Sequence, residues 1–213
     1  MNRELVLSAL VLITAPLAAQ VVVEPAEKVL QGNKKEVVSL AVSPKGDRIL
    51  AGTADGAVLI DMDKGRKVHV FPYSEDGRSE VYHCAFNENG EYVLLIGSTG
   101  KRQVWDTKTG EQERVLADHR WIPTPGQVRS MGLVPSNSTV DRHYQQTEAR
   151  RSGTLARSGE QGAVEFVDAD GAVVQTLVDA ENKDRHHKAP CLFTDTHFIT
   201  GTDDGRILLY TLP

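Results

Sequence analysis

Cysteine is nearly missing from this chain: two in 213 residues, Cys84 and Cys191. Neither belongs to a C-x-x-C pair, and no second Cys or His pair stands at zinc spacing, so no metal site is expected. A nucleophile elbow, an H-E-x-x-H helix and a dinucleotide glycine fingerprint are absent too. That leaves no residue-level case for a catalytic centre and no expected cofactor, although it does not exclude an enzyme assembled from scattered loops. Positive charge is not concentrated. Lys and Arg number 24 against 29 Asp and Glu, a net charge of −5 without a basic stripe, and no nucleic-acid partner is expected. After residue 23 the chain has no apolar run of membrane-spanning length, no heptads and no low-complexity tract.

What is present is organised around Val81 to Glu111, VYHCAFNENGEYVLLIGSTGKRQVWDTKTGE. Val81 to Phe86 and Tyr92 to Ile96 read as strands joined by Asn89-Gly90, a dipeptide that tolerates the positive φ of a tight hairpin. Gly97 to Gly100 turns the chain into a third strand, Gln103-Val104-Trp105, which Thr109-Gly110 ends. The middle strand is apolar on both faces, so the sheet should be covered on both sides.

The pattern recurs. Gly52 and Gly97, Asp61 and Asp106, and Gly65 and Gly110 are each separated by about 45 positions. Gly56, Gly162 and Gly205 each open a third strand. A period of about 40–45 residues with four strands per unit points to a propeller. Val38-Ser39-Leu40-Ala41-Val42-Ser43-Pro44, Asp55-Gly56 and Val104-Trp105-Asp106 resemble the WD-repeat β-propellers, from Val29 to the C-terminus. The resemblance implies an all-β fold of about four WD-type blades, each an antiparallel four-stranded sheet, with repeats near 36–71, 80–116, 127–178 and 188–213. It also implies that the outer strand of the last blade comes from the N-terminal segment: Glu27 to Gly32 is similar to Glu113 to Asp118, so Val29 and Leu30 are expected to pair alongside Arg206 to Tyr210. That clasp shuts the propeller either within one chain or, by blade exchange, in a homodimer. The third repeat is stretched, with Pro135 in the place of Pro44 and a polar excursion near Ser136 to Arg151.

Residues 1–19 read as a secretory signal peptide. Arg3 precedes the apolar run Leu5 to Leu17, and Leu17-Ala18-Ala19 is a small-residue cleavage site. The expected location is therefore periplasmic or extracellular, with membrane attachment only if the segment stays uncleaved. Export allows a disulfide, yet Cys84 and Cys191 fall on equivalent first strands two repeats apart, too far for a bridge, and read as small buried hydrophobes. Asp61 to Gly65 and Asp168 to Gly171 hint at calcium loops but sit where hairpin turns belong. Three connections entering successive repeats, Pro72 to Glu80, His119 to Gln127 and Asp179 to Ala189, are rich in the residue types of binding hot spots. On the family's topology they share one face, which would gather Tyr73, Arg78, Arg120, Trp121, Arg185 and His186 for a protein or small ligand. The expected function is an exported binding scaffold. The alternatives are a propeller-type hydrolase or lactonase and a structural part of a larger ring.

Overall fold

The computed structural model describes residues 26–73, 80–97, 100–116, 119–133, 146–158, 163–177 and 190–212. Strand β1 (Lys28–Gln31) opens the described chain. Blade 1 is β2 (Val37–Val42), β3 (Arg48–Thr53), β4 (Gly56–Asp61) and β5 (Arg66–Pro72). Blade 2 is β6 (His83–Phe86), β7 (Tyr92–Ile96), β8 (Arg102–Asp106) and the short β9 (Gln112–Glu113). A helix, α1 (Pro125–Ser130), precedes blade 3, which is β10 (Glu148–Arg151), β11 (Thr154–Ser158), β12 (Val164–Val167) and β13 (Val173–Leu177). Blade 4 is β14 (Cys191–Phe193), β15 (His197–Gly201) and β16 (Arg206–Thr211), completed by β1.

The clasp forms within one chain. Val29 pairs with Leu208 and Leu30 with Ile207, antiparallel, as the second repeat's spare outer strand implied. Leu30 is buried beside Ile207, Leu209 and the blade 1 residues Leu40, Ile49 and Ile60, so β1 both finishes blade 4 and packs it on blade 1. It does not shut a ring. Apolar cores join blade 4 to blade 1, blade 1 to blade 2, and blade 3 to blade 4, giving the spatial order 2–1–4–3. Blades 2 and 3 share no such core among the described residues, and the four sheets stay open there.

The segment before blade 3 explains the opening. Tyr92, Leu94, Ile96 and Val104 form an apolar flank on blade 2, and Ile122, Val128 and Leu133 cover it. Val128 and Leu133 are fully buried by this contact, and each such side chain contributes about 1.5–3 kcal/mol of transfer free energy. The stretch read as the first strand of the third repeat is therefore helical in part. Thr124 caps α1 reciprocally with Gln127, and Pro125 sits at the first helical position. The first strand of blade 3 is instead β10, drawn from the end of the expected polar excursion.

The repeated glycines have a common steric cause. A Cβ on Gly52 would lie 2.6 Å from the Val81 carbonyl oxygen, one on Gly97 2.6 Å from that of Glu80, and one on Gly201 2.7 Å from Val37 Cβ. At Gly52 and Gly201 the second strand ends under the entry to the neighbouring blade, and at Gly97 it ends under the entry to its own blade. The entry is then tied by a backbone bond, Val81 N–H to Thr53 O in one and Val37 N–H to Thr202 O in another.

Candidate functional site

The blades present two ends. The connection end carries the entries to successive blades and the turns between second and third strands. The turn end carries the first-to-second and third-to-fourth strand turns. The expected binding surface lies at the connection end, and of its six residues the structure describes Tyr73, Arg120 and Trp121. Tyr73 is buried, 4% exposed. Its hydroxyl donates to the Lys101 carbonyl at 2.5 Å and accepts from Gly97 N–H at 2.8 Å, so it locks two turns together and offers no ring to a partner. Arg120 is exposed. Trp121 is half-buried and packs on the core of blade 2, its indole N–H without an acceptor among the described residues.

These two residues ride on the cover of blade 2, not on a loop face. His119 packs edge-on against Tyr92, near the turn end, with ring centroids 4.9 Å apart. Four residues later the Pro123 carbonyl accepts from Arg102 Nη1 at 2.8 Å, at the connection end. The segment thus climbs the flank of the blade, because an uncovered apolar flank costs more than a loop left in solvent. Arg78, Arg185 and His186 lie outside the described residues.

The open grooves lie at the turn end, one beside each packed blade pair. Between blades 1 and 2 a groove of about 430 Å³ is lined by Lys45, Arg48, Asn89, Tyr92 and Asp106, among others. Between blades 1 and 4 a groove of about 640 Å³ is lined by Lys28, Lys45, Asp63, Asp195 and His197, among others. The β2–β3 turn, with Ser43, Pro44 and Lys45, is the wall between them. Between blades 3 and 4 lies the widest of the three, about 780 Å³, floored by Phe166, Phe193, Phe198 and Tyr210. No signal in the linear sequence marked this last site, since its rings come from two blades and four strands.

The carboxylates at the turns hold the turns themselves. Asp61 Oδ1 accepts from Lys64 N–H at 2.9 Å, and Asp168 Oδ1 from Asp170 and Ala172 N–H at 3.0 and 2.9 Å. Asp106, the aspartate of the Trp-Asp pair, accepts from Thr109 and Lys108 N–H, bonds that hold its carboxyl below the ordinary carboxylate range. In blade 4, Thr202 Oγ1 donates to Asp204 Oδ1 at 2.6 Å and Arg206 Nε bonds both Asp204 oxygens at 2.8 and 2.9 Å. These bonds close the β15–β16 turn. Cys84 and Cys191 are free thiols, both buried, and burial pushes them up to about 11 and about 12.

Four four-stranded antiparallel sheets with these turns define a β-propeller-like protein. The family model for the WD domain, G-beta repeat, matches residues 25–60. With the four four-stranded sheets, that match makes the chain similar to the WD-repeat β-propeller family. Among characterised relatives, ribosomal RNA-processing protein 9 of Saccharomyces cerevisiae is 23% identical over 209 residues, 87% of this chain and 35% of the relative. Autophagic-related protein 16.2 of Caenorhabditis elegans is 30% identical over 104 residues, 48% of this chain and 19% of the relative. The chain therefore spans about a third or less of the length of either. Among solved structures, U3-55K aligns with a TM-score of 0.38 at 17% identity, over 89% of this chain and 54% of that one. The RRP9 WD40 repeats align with a TM-score of 0.38 at 16% identity, over 87% and 55%.

Proposed function

We propose that this chain is an exported scaffold that binds a protein partner through the turn end of its blades. WD40 repeat proteins act as protein-interaction scaffolds, which supplies the coarse part of the reading. The observation that carries the finer part is the row of solvent-open grooves at the turn end, flanking the exposed β2–β3 turn. Export rests on the basic start, apolar run and small-residue cleavage site of residues 1–19. Participation in a larger ring is disfavoured at one side, because the cover on blade 2 occupies the flank that another chain's blade would need.

Affinity capture from the exported fraction tests this, with the full chain as bait. A partner should be retained, and Lys45→Glu combined with Asn89→Arg should reduce its recovery at least tenfold without moving the melting temperature, because both side chains are exposed. Equal capture by the variant overturns the turn-end reading. The exported protein should begin at Gln20 by intact mass; retention of Met1 on an unexported chain overturns the location.

A further inference from the structure

We propose that Asn89 is a site of spontaneous deamidation, a modification that turns the groove between blades 1 and 2 from charge-balanced to acidic. Asn89-Gly90 is the one Asn-Gly pair in the chain and lies in the turn between β6 and β7. The nucleophile is the Gly90 backbone nitrogen, and the electrophile is the Asn89 side-chain amide. Glycine puts no side chain in the path of attack. Asn89 is exposed, so water reaches it. The turn also supplies an oxyanion donor. Glu91 N–H donates to Asn89 Oδ1 at 3.1 Å, and Oδ1 is the oxygen on which negative charge develops when the nitrogen adds. Glu91 Oε2 accepts from Asn89 Nδ2 at 2.6 Å and holds the side chain against the turn. One bond opposes the reaction. Gly90 N–H donates to the Asn87 carbonyl at 3.1 Å, so ring closure waits on its opening, which costs least at an exposed hairpin tip.

The step needs water and no other reactant. The Gly90 nitrogen loses its proton to solvent and bonds to Asn89 Cγ. The Cγ–Nδ2 bond breaks, and ammonia leaves after taking a proton from solvent. A five-membered succinimide remains, which water opens at either carbonyl to give aspartate or isoaspartate. Other positions lack one requirement each. Asn33 has the same kind of bond, Lys35 N–H to Oδ1 at 3.2 Å, but Lys34 follows it and carries a side chain beside the attacking nitrogen. Asp55, Asp170 and Asp204 precede glycines, yet an ionised carboxylate is a poor electrophile at neutral pH. The consequence falls on the groove. Its lining sets Asp47, Glu91 and Asp106 against Lys45, Arg48 and Lys108. A carboxylate at position 89 tips that balance, removes the donor to Glu91 and leaves two like charges side by side. Isoaspartate also lengthens the backbone within the turn that sets the β6–β7 register.

The test incubates the full chain at pH 8, folded and in parallel in urea, and follows the tryptic peptide that contains Asn89 by mass and fragmentation. The folded chain should gain a single dalton at Asn89 at least tenfold faster than at any other asparagine, with isoaspartate among the products. The rate should rise with pH, because the attacking nitrogen must lose its proton. Asn89→Gln, whose amide would have to close a larger ring, should keep its starting mass at that position. Retention of Asn89 in the folded chain beside conversion in urea overturns the proposal, since the Asn87 bond then seals the turn. A gain that comes first at another asparagine overturns it too. The aged chain should capture less partner if the turn end binds; conversion with capture unchanged leaves the modification standing and counts against the turn-end reading alone.

Discussion

Gln146 and Leu40 are 106 positions apart and share two hydrogen bonds: Leu40 N–H donates to Gln146 Oε1 at 2.7 Å, and Gln146 Nε2 donates to the Leu40 carbonyl at 2.8 Å. A side-chain amide here does what a neighbouring strand would do for the inner edge of β2. Backbone groups at the inner edge of a blade have no ladder partner on that side, and leaving them dry is expensive. The contact ties the residue before blade 3 to blade 1 across the middle of the stack, and Cys191 N–H donates to the Gln146 carbonyl at 2.7 Å to bring in blade 4.

Gln146→Leu should therefore destabilise the protein by about 1–3 kcal/mol, the cost of leaving a buried donor and acceptor unmet. Chemical denaturation measures it. Gln146→Glu retains only an acceptor, so it should fall between wild type and the Leu variant at neutral pH. A wild-type midpoint for the Leu variant would show the tie to be idle.

Trp105 is a core residue. It is 8% exposed and lies 5.5 Å from Phe71 between blades 1 and 2. Trp105→Ala should cost about 3–5 kcal/mol, as for other large aromatics removed from cores. Its indole N–H finds no acceptor among the described residues, so Trp105→Phe should cost much less than Ala. A near-neutral Ala variant would place the ring outside the core.

The thiols set an alkaline limit. Both folded values are raised above the ordinary 9.0 by burial, to about 11 and about 12. Stability from this source is complete below pH 9 and declines as pH rises through 11 to 12, because the unfolded chain releases the protons first. Native protein should resist a thiol reagent at pH 8, and the unfolded, unreduced protein should titrate two thiols. Finding none in the unfolded chain would mean a bridge that the structure excludes.

His83 sets an acid limit. Burial holds it below the ordinary 6.5. Its contribution is present above pH 6.5 and is lost as pH falls through the lowered value, since protonation is easier in the unfolded state. His83→Gln should flatten the stability curve between pH 7 and 5. An unchanged slope would show that His83 is not the group responsible.

The repeat was legible because its marks are local. Glycines at Gly52 and Gly97 are required by a backbone that comes too close for a Cβ, and Asp61 and Asp106 by turns that use the carboxylate to hold their own amides. The spare strand was marked by Val29-Leu30, which repeats the apolar pair Val115-Leu116, although that second pair lies beyond β9 and forms no strand. The third repeat misled. Val128 to Pro135 resembles the start of the first repeat, yet Thr124-Pro125-Gly126-Gln127 is a helix start, and the capping box decides the local outcome. Of the expected binding residues, Tyr73 and Trp121 are the ones whose burial the sequence did not reveal. Residue type marks hot spots only if the residue reaches solvent, and Tyr73 and Trp121 are turned inward by hydrogen bonding and by the apolar flank of blade 2. The cleft between blades 3 and 4 depends on side chains spread over β12, β14, β15 and β16, a juxtaposition that the fold alone creates.

The account stands on one claim above the others: the N-terminal strand finishes the fourth blade of its own chain and leaves the stack open. Val29 and Leu208 face each other across that junction. The double variant Val29→Cys, Leu208→Cys, oxidised under mild conditions and run without reductant, measures this directly. A cross-linked species of monomer mass, with a raised melting temperature, is predicted. Covalent dimers would mean that the strand is exchanged between copies, and failure to cross-link at all would mean that residues 28–31 are not the outer strand of blade 4.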